Sequence, residues 1–453
     1  MAATYDFSSN AELRTLIELE IESQQWRDHK FSRWMGPNYL KYTKGKDIGA
    51  HGMEGMSFTG APIETQKAFI TEGRTVMDIP VMNRFITAPV FGDMPAEGLG
   101  EAPRFGFRTV QINQTRKPFA VPTGMQKQKV KMWKKLINDI RTQGGKWMSD
   151  WMATNIQMAM HTGYSFDLLN PVTLGGTAVT SMSHPNFFVP NSSGGASQVG
   201  LDPSTGTYTV GSRPNTTGYE GAIEAAINGL NSSTTYACSG QFIYDLVIAA
   251  ARLKINPITI EGARPFYPVW LKDSAYRQLQ RDPDFKGLAK ALFIDKMADH
   301  PLGNGMIAFY EGAAIFSDLM LFTAYTNALS ANVTAGTIQY GPRPSTTLRT
   351  AGWKTDPTAG LLDSGAMAVG FLIGQSALTV GTGENVHIEE QFKDFGETHE
   401  IAFTMIQSVV RNDIFDTLGM LSDNVSNVAL SKGDFYENTS SLSFVTNSPF
   451  NPS

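Results

Sequence analysis

One stretch of this chain constrains its fold more than any other. After Gly124, the residues Trp133, Leu136, Ile137, Ile140, Trp147, Met148, Trp151, Asn155, Ile156 and Ala159 recur at about 3.6-residue spacing, the pattern of one buried helix face. The pattern predicts a helix of roughly thirty residues, about 45 Å long at 1.5 Å per residue. That is long for a compact enzyme domain and reads as a spine on which other elements are laid. Gly144 falls on the same apolar stripe, where it costs about 1 kcal/mol in helix propensity. A close approach of the helix to a sheet at Gly144 would account for it.

The charge pattern is the second constraint. Between Arg104 and Lys146 there are eleven basic residues and one acid, Asp139, a net +10, so with a whole-chain charge of −5 the remainder carries −15. A weakly acidic total argues against a protein that is basic all over for nucleic acid. The basic stretch includes Arg104, Arg108, Lys127, Lys131, Lys134 and Lys135. It could meet the acidic surface of a neighbouring subunit, such as Glu384 to Glu400, form a solvated helix face, or touch nucleic acid phosphates. The first reading is preferred. Trp133, Trp147 and Trp151 interleave with the basic residues but lie on the apolar stripe, which disfavours base stacking. Over the 453 residues only 17% are charged while 42% are apolar, so a sizeable core can form and disorder is excluded as the dominant state.

Around the spine the pattern is α+β. A helix is expected from about Ser9 to Met35, stopped by Gly36-Pro37. Lys41 to Pro103 reads as an extended, two-stranded excursion, with strand-like bursts at Thr75 to Ile79 and Phe85 to Val90. Phe105 to Pro122 alternates like one strand. Leu168 to Gly218 holds only two charged residues, Asp202 and Arg213, and reads as a long loop or strand-rich insertion whose Phe187, Phe188, Val189 and Tyr208 need burial. Ser239 or Gly240 opens a helix through Lys254. There follow a strand at Pro268 to Leu271, a helix at Asp273 to Gln280, a strand at Phe309 to Phe316, a buried segment at Ala366 to Ala377, and a β-rich stretch from Val386 to Arg411. No repeat of solenoid or propeller length is visible.

A search for chemistry returns negatives. The two Gly-Lys pairs, Gly45-Lys46 and Gly145-Lys146, are followed by Asp47 and Trp147, so no phosphate-cradling GxxxxGK[ST] loop exists. There is no GxSxG elbow and no GxGxxG after a strand. Cys238, the single cysteine, excludes an intrachain disulfide framework and reads as a small buried residue before a helix. His387, Glu389, Glu390, Glu397, His399 and Glu400 have the composition of a metal site, but HExxH is broken by Phe403. The preferred reading buries Val386, Ile388, Phe392, Ile401 and Phe403 in two strands and leaves the carboxylates to water. Asp282, Asp284, Asp295 and Asp299 could form acid/base pairs, yet Arg281-Asp282-Pro283-Asp284 reads as a solvated turn after a helix. The start carries Asp6 and no apolar signal region, which argues against a secretory leader. Ser364 to Gly383 is free of charge, but its apolar heart is too short to cross a bilayer. No catalytic, cofactor or metal site and no membrane partner is expected.

Four blocks of sequence, in this order, carry a resemblance. They are Lys30-Phe31-Ser32-Arg33-Trp34-Met35-Gly36; Gly92-Asp93 through Glu97-Gly98 and Val110-Gln111-Ile112-Asn113-Gln114 to Gly124 and Trp151; Trp270-Leu271, Asp273, Ala275-Tyr276 and Leu279 with His300-Pro301-Leu302 and Gly305 to Gly312; and Gly370 to Ala377 with Phe392 and Phe395-Gly396. With them the chain resembles major capsid proteins of tailed bacteriophages with the Hong Kong 97-type fold, in the podophage coat family that includes schitovirus-type coats. The resemblance implies an N-terminal arm (1–40), an extended loop (41–103), a peripheral-domain strand and spine helix (104–165), an axial domain (166–383, with an uncharged insertion at 170–218), and peripheral strands with a C-terminal tail (384–453). It implies no chemistry but self-association, through pentamers and hexamers, into an icosahedral shell around packaged double-stranded DNA held without sequence specificity. Portal and scaffolding or cement proteins are the other implied partners, and the virion, assembled in the host bacterial cytoplasm, is the implied location. The alternative is a cytoplasmic α+β enzyme with an unrecognised active site.

Overall fold

A computed structural model describes residues 31, 34, 58–59, 62–66, 76–82, 91, 105–122, 143–149, 151–153, 155–157, 159–160, 186–200, 222, 225–226, 230, 237–260, 264–289, 306–318, 323–324, 367–393, 398–412 and 440–447. Among the described residues the sixteen strands in chain order are β1 (Phe58–Thr59), β2 (Ile63–Gln66), β3 (Val76–Met82), β4 (Phe105–Gln111), β5 (Asn113–Pro122), β6 (Phe187–Pro190), β7 (Ala196–Gln198), β8 (Thr259–Ile260), β9 (Tyr267–Lys272), β10 (Met306–Tyr310), β11 (Ala313–Asp318), β12 (Thr323–Ala324), β13 (Met367–Ile373), β14 (Leu378–Lys393), β15 (Thr398–Arg411) and β16 (Ser441–Asn447). Helical residues 143–160, where described, are α1; the others are α2 (Gly240–Arg252), α3 (Asp273–Leu279) and α4 (Pro283–Ala289).

The larger sheet has eight strands in the order β10-β11-β9-β13-β16-β6-β7, with β12 paired to β13. It is buried on both faces, which is why β9 reads as an unbroken apolar run and not as an alternation. Val269, Leu271, Ile315 and Leu372 face α2, whose Phe242, Ile243, Leu246 and Ala250 form the apolar stripe. On the other face Trp270 stacks on Phe316 at 5.1 Å, and Phe31 and Trp34 complete the aromatic layer.

Local rules fix α2. Ser239 Oγ accepts from the Phe242 amide at 3.1 Å as an N-cap. At the other end Lys254 takes φ 55°, Ile255 N donates to Ala250 O and Lys254 N to Ala251 O, a Schellman ending built on a lysine where glycine is usual.

The smaller sheet has four strands in the order β2-β14-β15-β5, and β3 and β4 form a separate two-stranded ribbon. Several expectations are corrected. Phe105 to Pro122 is two strands serving different sheets: the break is at Ile112, whose side chain lies against Gly383 where a Cβ would collide with it. Phe309 to Phe316 is a hairpin, turned at Glu311 and Gly312, both at positive φ. Asp282 is more than part of a solvated turn: its Oδ2 accepts from the Gly240 amide at the start of α2, and its Oδ1 from the Asp284 amide at the start of α4. Part of the uncharged stretch enters the large sheet as β6 and β7 with Phe187 and Phe188 buried, and the segment expected as a tail returns as β16 between β13 and β6. The expected helix over residues 9–35, apart from the buried Phe31 and Trp34, lies outside the described residues, as do Phe85 to Val90, Tyr208, Asp295, Asp299 and the helix before residue 143.

Candidate assembly surfaces

The spine helix and β15 run side by side. The odd-numbered residues of β15 face α1: Phe403 lies under Gly144, where a Cβ would sit 2.5 Å from its ring, Met405 packs with Met148, and Arg411 Nη1 donates to Met160 O at 2.9 Å. From Gly144 to Met160 a helix rises about 24 Å, and from Phe403 to Arg411 a strand advances about 26 Å, so the two stay in step along their contact. Arg411 is 2% exposed. A buried guanidinium that donates to a main-chain carbonyl of α1 keeps its charge hydrogen-bonded away from water and ties strand to helix.

Trp147 and Trp151 stack at 5.7 Å and, with Phe119, flank a core of Met148, Val386, Ile401, Phe403 and Met405. They are structural aromatics, as their place on the apolar stripe predicts. Lys117, from the basic stretch, lays its ammonium 5.9 Å from the Phe119 ring and 5.5 Å from the Trp147 ring.

The opposite face of this sheet is polar. Arg116 Nε meets Glu389 Oε2 at 3.1 Å, and His387 sits with Nδ1 3.3 Å from Glu384 and Nε2 3.3 Å from Glu389. Part of the basic stretch therefore meets part of the acidic stretch within one chain, which the sequence reading assigned to different subunits. Arg116 and Lys117 were counted in the basic stretch but not singled out; the alternation along Asn113 to Phe119 was the available signal. Among the described residues no group of three or more His, Cys, Asp or Glu is placed to hold a metal ion, and no helix is long and apolar enough to cross a membrane.

Of the predicted contact residues, Arg108 lies on β4 opposite Ile79. Arg104, Lys127, Lys131, Lys134 and Lys135 lie outside the described residues. Val76 at the start of the ribbon is 42% exposed and Phe91 is 73% exposed. A two-stranded ribbon is marginal alone in water, so this one calls for cover.

Burial elsewhere builds structure, not reactivity. Cys238 is buried just before the α2 cap, and desolvation, aided by the Asp282 carboxylate, pushes its thiol up to about 12. A thiol held protonated is a poor nucleophile.

A family model described as phage capsid protein matches residues 57–412. Among solved structures, the capsid of Ralstonia phage GP4 is similar at a TM-score of 0.50 and 14% identity, over 87% of this chain and 89% of that one. The capsid of cyanophage Pam1 is similar at 0.51 and 13%, over 87% and 90%. No curated protein sequence matches the chain. These two likenesses fix the fold as the Hong Kong 97 type, with a spine helix, a sheet along it and a second, doubly covered sheet. A family match across most of the chain identifies it: the chain belongs to the phage capsid protein family, a shell-forming major capsid protein and not an enzyme.

Proposed function

We propose that the shell formed by this protein is that of a tailed phage of the podophage type and encloses packaged double-stranded DNA without reading its sequence. In this reading pentamers and hexamers assemble in the host bacterial cytoplasm, with portal and scaffolding or cement proteins as the other partners. The large sheet with α2 to α4 serves as the axial domain, and α1 with the small sheet as the peripheral domain. The β3–β4 ribbon serves as the extended loop that reaches a neighbour.

The observation that carries the reading is the ribbon itself: two strands with no third among the described residues, next to a segment of net +10 in a chain of net −5. A two-stranded ribbon is marginal alone in water, and a lattice of copies would give it cover. The contact residues are Arg104, Arg108, Lys127, Lys131, Lys134 and Lys135. Changing Lys131, Lys134 and Lys135 together to Glu is expected to abolish particles seen by electron microscopy while circular dichroism and the melting transition stay those of the wild type. Normal particles from that variant contradict an intersubunit role for the basic segment. Nuclease-resistant duplex DNA in particles made during infection is the companion expectation.

A further inference from the structure

A polar cluster on the small sheet sits where its longest strand is bent. Three strands stand in register there: Arg116 of β5 lies opposite Thr404 of β15, which lies opposite His387 of β14. Just before this row β14 is bulged, advancing five positions from Thr382 to His387 while β15 covers three, Gln407 to Thr404. A bulge leaves residues without ladder partners, so side chains must hold its shape. Gly383, inside it, packs against Ile112, the residue between β4 and β5. The bulge is therefore the seat of the β3–β4 ribbon.

His387 spans this bulge. Its side chain is 23% exposed, and each ring nitrogen faces a carboxylate at 3.3 Å: Nε2 shares a hydrogen bond with Glu389 Oε1, while Nδ1 approaches Glu384 Oε1 without making one. Glu389 is also gripped by Arg116, with Nε 3.1 Å from Oε2 and Nη2 3.4 Å from Oε1. Glu384 is exposed and faces the ring from inside the bulge. From β15 the ring meets Thr404 and, one row back, Ile406, neither of them charged. A neutral imidazole has one N–H to give. Given to Glu389, it leaves a lone pair on Nδ1 towards Glu384, and the two repel. An imidazolium donates from both nitrogens, and both contacts become charge-assisted.

We propose that His387 is a proton-operated clasp on the β14 bulge. Protonated, it ties Glu384 to Glu389 and stiffens the seat of the ribbon; neutral, it releases Glu384. Two carboxylates favour the added charge, and one guanidinium, already paired with Glu389, opposes it. Histidine is the side chain that ordinarily changes charge between pH 5 and 8, so the clasp is present on the acid side and lost as pH rises. It lies within one chain and does not depend on how copies assemble.

Hydrogen exchange followed by mass spectrometry tests it on the full-length chain. Amide protection over residues 378–393, corrected for the intrinsic pH dependence of exchange, is compared at pH 5 and pH 8 in the wild type, His387→Gln and Glu384→Gln. In the wild type the segment 383–387 is expected to be protected about two- to five-fold more at pH 5, the range of a partly exposed ion pair. The difference is expected to vanish in His387→Gln and to shrink in Glu384→Gln. Equal wild-type protection at the two pH values overturns the proposal, as does the full wild-type difference in either variant. Glu384→Gln changes an exposed side chain and leaves the imidazole in place, so a folded comparison remains even where His387→Gln fails to fold.

Discussion

Gly144 sets the distance between the spine helix and the sheet. A methyl at its Cβ position would lie 2.5 to 3.0 Å from three carbons of the Phe403 ring, which is 1% exposed and held edge-on to Phe119 at 5.3 Å. Alanine gains about 1 kcal/mol of helix propensity, but overpacking a core costs about 1–3 kcal/mol, so the clash wins. Gly144→Ala is expected to lower stability by about 1 kcal/mol in denaturant unfolding, and Phe403→Leu in the same chain should recover part of it. Greater stability in Gly144→Ala would mean the helix stands further off. Cys238 gives a second test at this scale. Its thiol is held up to about 12 by burial, so below pH about 9 both folded and unfolded chains keep the proton and the group adds no pH dependence. Above that the unfolded chain releases it and the folded chain does not, so stability falls by up to about 1.4 kcal/mol per pH unit. The wild type should lose stability relative to Cys238→Ala between pH about 9 and 11, and its thiol should resist thiol reagents until the protein is denatured.

At the scale of elements, the joint between the two sheets is the part the sequence did not announce. The turn from β13 into β14 is tied on every side: Gly374 N to Ser440 O, Gln375 N to Asn256 O, Gln375 Nε2 to Pro257 O, and Ala377 N to Pro62 O. Asn412 closes it, donating to Ser376 O at 2.6 Å and accepting from Thr379 Oγ1 at 2.7 Å. Beneath it one apolar core joins Met152 and Ile156 of α1 to Trp270, Phe316 and Phe371 of the large sheet. Asn412→Ala removes the donor to the Ser376 carbonyl and leaves the Thr379 hydroxyl only its longer contact with Glu64 Oε2 at 3.5 Å, and about 1–2 kcal/mol of stability should go with them, read as a lower denaturant midpoint. What was legible in sequence followed from local rules: the α2 stripe with its Ser239 cap, β9, and the Gly144 contact. What was not came from distant pairing or unusual turn chemistry. Glu311-Gly312 lacks the Asn or Asp that marks a tight hairpin. β16 earns its place by pairing with β13, more than sixty residues earlier, and with β6, earlier still. Of the candidate contacts, the charge block was visible, but that Arg116 pairs with Glu389 across the exposed face of the small sheet depends on three strands lying side by side in register.

For the whole molecule, charge and topology point the same way. A two-stranded ribbon and a basic segment in an acidic chain are features that a solitary protein would have reason to cover. Obligate assemblies cover them with copies, burying interfaces that commonly exceed about 2,000 Å². Electron microscopy of the purified full-length chain, across a range of salt and with its accessory proteins present, tests this most directly. Closed icosahedral shells built from this protein are the predicted result; a population that stays monomeric under every one of those conditions would contradict it.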